Sequence, residues 1–165
     1  MRHLTIGAFL GVLLAATAAS AQPADPQIMA PINKFIDTFN KGDMAGAASA
    51  YASGADLTIL AEVPPYVWRG PKAFQSWAAD LDSDAKKHSI TEPKVTLSAP
   101  TRVETAGTDA YVVVPAVYTF KEAGASKRES AQMTFALKKG ATGWSIHGWT
   151  WTGPRPQAAP AATKK

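Results

Sequence analysis

The chain contains no cysteine. That excludes a disulfide framework and lipid attachment at a cleavage-site thiol. The fold must be held by its core, and Trp, Phe, Ile, Val and Leu are plentiful enough to build one. Histidine is scarce: His3, His88 and His147 lie too far apart to form a metal-ligand pattern. No Gly-rich phosphate loop, no Gly-x-Ser-x-Gly and no spaced nucleophile–base pair occurs, so no metal and no cofactor is expected. A dense basic face is also missing, although the formal charge is +4. Arg2, Arg155, Lys164 and Lys165 lie outside residues 26–153, which leaves 13 of the 17 basic residues there. Asp25 alone of the 13 acids lies outside, so 12 remain and that stretch is close to neutral. A nucleic-acid footprint needs clustered positive charge, so nucleic acid is not an expected partner.

Only one long apolar run exists, from Leu4 to Ala16. It follows Met1-Arg2-His3 and precedes Ala19-Ser20-Ala21. A positive start, an apolar stretch and a small-x-small site read as a cleavable signal peptide over 1–21. The run is too short for a stop-transfer helix, so no membrane association is expected after cleavage near Ala21-Gln22. The expected location is periplasmic or secreted. Residues 22–26 read as a linker, 27–153 as the folded domain, and the Pro/Ala-rich 154–165 as a disordered tail.

Within the domain, Ile28, Ile32, Phe35, Ile36 and Phe39 fall on one stripe of a helix. Gly42 ends it and Asp43 caps a short second helix with Met44, Ala48 and Tyr51 on one side. Residues 56–60 predict a short strand, broken by Pro64-Pro65 and resumed at 66–68. Gly70-Pro71 opens a third helix, with Pro71 at its first position and Phe74, Trp77, Ala78 and Leu81 as its apolar stripe. From Lys94 the period becomes two. Strands are predicted near 94–104, 109–121, 127–139 and 143–152, joined by Gly-containing turns and therefore antiparallel. Pro100 and Pro115 each lack a ladder donor and belong at a bulge or an edge.

Three stretches carry a resemblance: Ile32-x-x-Phe35-Ile36-x-x-Phe39-Asn-Lys-Gly42-Asp43, Val67-Trp68-Arg69-Gly70-Pro-Lys-Ala73-Phe74, and Gly143-Trp144-Ser-Ile146. In this order they resemble the SnoaL-like group of the nuclear-transport-factor-2-like superfamily, over roughly residues 27–153. The resemblance implies an α+β cone: three N-terminal helices packed in the concave face of a strongly bent mixed or antiparallel sheet, with an internal pocket. It also implies a homodimer through the sheet. It implies no single function, because isomerases, dehydratases, cyclases and binding proteins share that shape.

Two residues are candidates for acid–base work. Asp56 opens the first strand, as a turn acceptor after Gly54 or as a base at the mouth of the cone. His147 lies in the last strand. Strict alternation puts it on the face opposite Trp144 and Ile146, with Trp149 and Trp151 beside it. A bulge at His147-Gly148 would instead bring Trp144, Ile146, Trp149 and Trp151 to one face. His88, beside Lys86 and Lys87, reads as a solvated helix end. The expected ligand-binding residues are Tyr51, Glu62, Tyr66, Trp68, Tyr118, Met133 and Trp149. Aromatics with a polar edge suit a small apolar or aromatic molecule. A binding module is therefore the first expectation. A cofactor-independent isomerase, cyclase or dehydratase using Asp56 or His147 is the second, and an interaction module using the outer sheet face the third.

Overall fold

The computed structural model describes residues 25–52 and 57–160. The signal-peptide stretch, Asp56 and the last five residues lie outside them.

Helix α1 (Pro26–Asn40) begins where Asp25 accepts a hydrogen bond from the Gln27 amide, with proline at the first turn. Its expected stripe is buried: Ile28, Ile32, Phe35 and Ile36 face the core. Gly42 takes φ 72°, the left-handed conformation that glycine adopts without a Cβ clash. Asp43 then caps α2 (Met44–Ala48) by accepting from the Gly46 amide at 2.8 Å. The face of α2 differs from expectation. Ala47 is fully buried and Met44 is exposed. Five residues make little more than one turn, and the chain leaves the helix before Tyr51.

Strands β1 (Thr58–Leu60) and β2 (Val67–Arg69) form a hairpin around a cis Pro64-Pro65 bond. Helix α3 (Ala73–Lys87) starts two residues later than Pro71 suggests. Gly70 at φ 87° and the bond from the Ala73 amide to its carbonyl hold Pro71 and Lys72 in a turn instead. The expected stripe of α3 is buried at Phe74 and Trp77.

The predicted 94–104 strand is two strands, β3 (Ile90–Leu97) and β4 (Arg102–Ala106). Both pair with β5 (Asp109–Glu122), β4 along its first half and β3 along its second. Pro115 explains the break. Its carbonyl accepts from Ser98 on the β3 side, so its missing N–H faces the gap where β5 changes partner. Strand β6 (Ala125–Gly140) pairs with the whole of β5. On its other side it takes β7 (Gly143–Thr152) and then β8 (Gln157–Ala158). The tail thus carries two paired residues where none was expected.

The sheet order is β2-β1-β7-β6-β5-β3, with β4 on β5 and β8 on β6. Of its seven strand pairings six are antiparallel, and β1 on β7 is parallel. The result is an α+β domain with three helices on a mixed, eight-stranded, open sheet. The core lies between α1, α3 and the inner sheet face, where Val112, Val114, Phe135 and Ile146 have no exposed surface. Each such side chain contributes roughly 1.5–3 kcal/mol.

Two details place the site. The side-chain amide of Asn40 exchanges two 2.8 Å hydrogen bonds with the backbone of Val95, tying the end of α1 to the edge of β3. In β7, Gly148 pairs with Ala136 and Ile146 with Leu137, so His147 is an extra, bulged residue. Ile146 and Trp149 are buried, with Trp144 and Trp151 packed against the same core.

Candidate functional site

The C-terminal halves of α1 and α3 and the inner face of the sheet line a cavity of about 440 Å³. Phe35 and Phe39 come from α1, and Trp77 and Leu81 from α3. The sheet supplies Tyr118, Met133, Trp149 and Trp151, because alternation along β5, β6 and the bulged β7 turns them inward. The β1–β2 loop closes one side with Glu62 and Val63.

The polar groups gather on one wall. Glu129 stands on the inner face of β6, on the same side as Met133 and Phe135, and only 1 % of its surface is exposed. Trp151 donates its indole N–H to Glu129 Oε1 at 2.7 Å. The other oxygen, Oε2, has no hydrogen-bond partner. Space for this carboxyl depends on Gly153, where a Cβ would collide with Glu129 Oε1 and Ala131. Glu62 lies beside Glu129 from the exposed rim. Burial against the wall, the negative charge of Glu129 and a proton shared with it push the Glu62 carboxyl up to about 7. Glu129 is also raised by burial, opposed by hydrogen bonding from Trp151 and Glu62. A protonated Glu62 is the donor at hand for the open oxygen. Tyr118 is pushed up to about 12, first by burial and then by the charges of Glu129 and Asp84. At the lip, His88 Nδ1 lies 3.2 Å from Asp84 Oδ1.

Of the expected ligand-binding residues, Glu62, Tyr118, Met133 and Trp149 line the cavity. Tyr51, Tyr66 and Trp68 do not. Tyr51 lies behind the wall, accepting from the Trp149 indole at 2.7 Å, and burial raises its phenol well above the usual value. Trp68 is turned under α3 and donates to Asp80 Oδ2 at 2.7 Å. Tyr66 is at the tip of the β1–β2 hairpin and 59 % exposed. Asp56 lies outside the described residues. His147, set outward by its own bulge, lines a separate recess between α1 and the β6–β7 hairpin, with Lys34 and Lys138.

His88 and Glu129 were not among the expected site residues. The signal for Glu129 was present: it shares the two-residue phase of Ala131, Met133, Phe135 and Leu137. Among the described residues, no group of three His, Cys, Asp or Glu side chains is placed to hold a metal ion. No described helix is long and apolar enough to cross a membrane.

No protein-family model and no curated protein matches the chain. Solved structures are similar in fold. A nuclear transport factor 2-like superfamily protein from Salmonella enterica is 15% identical, with a TM-score of 0.64 over 84% of this chain and 96% of that one. A ketosteroid isomerase-like protein from Erwinia carotovora atroseptica is 18% identical, with a TM-score of 0.61 over 79% and 96%. A hexachlorocyclohexane dehydrochlorinase, LinA type 2, is 12% identical, with a TM-score of 0.67 over 85% and 91%. The chain has the nuclear-transport-factor-2-like fold that its sequence resembles.

Proposed function

We propose that this chain is an exported binding protein that takes a small, largely apolar or aromatic molecule into its cone. The cavity carries this reading. Its volume of about 440 Å³ falls within the roughly 300–1,000 Å³ of small-molecule sites, and its walls are aromatic with a few convergent polar groups. Two residues lining it hold buried polar atoms without partners, Glu129 Oε2 and Trp77 Nε1. Such an atom costs about 1–3 kcal/mol when left unpaired, which a ligand with matching groups can recover. The likeness in fold to a ketosteroid isomerase-like protein and a dehydrochlorinase supports a small-molecule site in this shape. Dimerisation through the sheet belongs to the same reading and is checked by sedimentation.

Thermal unfolding against a panel of small aromatic compounds tests the site, with Leu81→Trp as the control that fills the cavity. At a hundredfold excess over Kd a ligand stabilises by about 2.7 kcal/mol. Stabilisation of the unaltered chain but not of Leu81→Trp is expected. No stabilisation by any compound overturns the reading.

A second reading, a cofactor-independent isomerase, cyclase or dehydratase, is favoured by one observation. Glu62, raised to about 7 beside the cavity, has the proton affinity of a general base working at neutral pH. Under this reading Glu62→Gln abolishes turnover while ligand binding persists, and unchanged turnover removes it.

A further inference from the structure

The wall formed by Glu62 and Glu129 has a charge problem that the protein relieves only with a proton shared between the two carboxyls. Glu129 is almost wholly enclosed, yet Trp151 occupies only one of its two oxygens. Neither Glu62 nor Glu129 joins any ion pair among the described residues. The other charged groups on the cavity wall do not supply a counter-ion. Asp84 and Glu122 add negative charge, His88 is engaged with Asp84, and Glu122 with Lys127 at 3.4 Å. Lys87, at the lip, is the remaining base. A carboxylate enclosed without a cation is strongly disfavoured, and a partner of opposite charge relieves that penalty. The position is nonetheless built for a carboxyl, since Gly153 clears the room it occupies.

Aromatic rings surround the same wall. Tyr118 and Trp151 meet edge to face at 6.1 Å, and Trp77 and Trp149 do so at 5.1 Å. Ring faces attract a positive charge, most strongly where water is excluded.

Resting on the cavity being a small-molecule site, we propose that its ligand is an organic cation: a protonated amine on an aromatic or alicyclic frame, with its N–H groups on Glu129 and Glu62 and its frame against Trp149, Trp151 and Tyr118. The ammonium enters beside Glu62, displaces the proton that the two carboxyls share and, as the wall yields to it, gives the buried, unpartnered oxygen of Glu129 its donor. Binding therefore releases a proton near neutral pH and weakens in acid, where both carboxyls are protonated. An organic anion of the same shape is repelled.

Matched compounds test this by calorimetry on the full domain at pH 7.5: an ammonium, an alcohol and a carboxylate on each of a naphthylmethyl, an indolylethyl and an adamantylmethyl frame. On at least one frame the ammonium is expected to bind about tenfold or more tightly than the alcohol, the equivalent of about 1.4 kcal/mol. Its heat should vary with the buffer's ionisation enthalpy, reporting proton release, and its affinity should fall at pH 5. Glu129→Gln, which keeps an acceptor for Trp151, should abolish the preference for the ammonium. Glu62→Gln, at the exposed rim, provides the same test should the buried substitution impair folding. Alcohols that bind as tightly as ammonium compounds, or an ammonium preference unchanged in Glu62→Gln and Glu129→Gln, overturn the cation and leave the cavity reading standing. No binding on any frame counts against both.

Discussion

Trp151 donates its indole N–H to Glu129 Oε1 at 2.7 Å, reaching along β6 from the end of β7. This bond fixes one oxygen of a carboxylate that the sheet has turned inward, and leaves the other buried without a hydrogen-bond partner. Both carboxyls of the Glu62–Glu129 pair are more readily protonated in the folded chain than in the unfolded one. Ionising them therefore works against folding. Stability should be full at acid pH, fall as the pH rises from 4.5 toward 7, and level off above that. Urea unfolding at pH 5 and pH 8 measures it, with a smaller drop expected in Glu62→Gln. An equal drop in both forms would show that the pair does not titrate in this range.

Trp149→Phe keeps most of the packing at the back of the cavity but removes the donor to the buried Tyr51 hydroxyl. A destabilisation of about 1–3 kcal/mol is expected. Tyr51→Phe removes the other partner, and a double-mutant cycle in urea isolates the coupling between them. Zero coupling would mean the 2.7 Å contact contributes nothing.

Much of this fold was legible because burial imposes a period. Phe35 and Ile36 in α1, and Phe74 and Trp77 in α3, are large, regularly spaced and buried as expected. The bulge at His147 was one of two readings of the last strand, and the observed pairing of Gly148 with Ala136 decides it. What the sequence hid was long-range. Pro100 signals an interruption between Lys94 and Glu104, and it does lie in the break between β3 and β4, but nothing there says that β5 changes partner at Pro115, since this depends on a carbonyl facing Ser98 from another strand. Trp68 and Tyr51 have the right chemistry for a pocket, yet their polar ends are taken by Asp80 and Trp149. Glu129 looks like one more surface acid among Lys127, Arg128 and Ser130 until its phase is compared with that of Met133 and Phe135.

Asn40 stands in for a strand at the edge of β3, giving and taking one hydrogen bond with Val95. Asn40→Asp keeps the acceptor but places a carboxylate against the Val95 carbonyl. The expected loss is about 1–3 kcal/mol near neutral pH and less in acid, where the protonated carboxyl can donate again. Thermal melts at pH 3.5 and pH 7 separate the two states. A loss independent of pH would refute the donor's role.

Gly148→Ala tests the contact beneath the bulge. A Cβ there would lie 2.9 Å from the Thr58 carbonyl oxygen, in the parallel pairing of β1 with β7. Backbone has little freedom to yield, so the variant should lose about 1–3 kcal/mol. Hydrogen exchange should show β1 and β2 opening before the rest of the sheet. Uniform exchange with unchanged stability would place β1 further from β7 than described.

The extra residue in β7 has a consequence for how this chain can change. Removing His147 would restore plain alternation, and Trp144, Ile146, Trp149 and Trp151 would still all point inward. The added length is spent on the outside of the wall. Curvature of the last strand and chemistry of the chamber it encloses can therefore drift separately, one by gaining or losing a residue, the other by exchanging side chains in place.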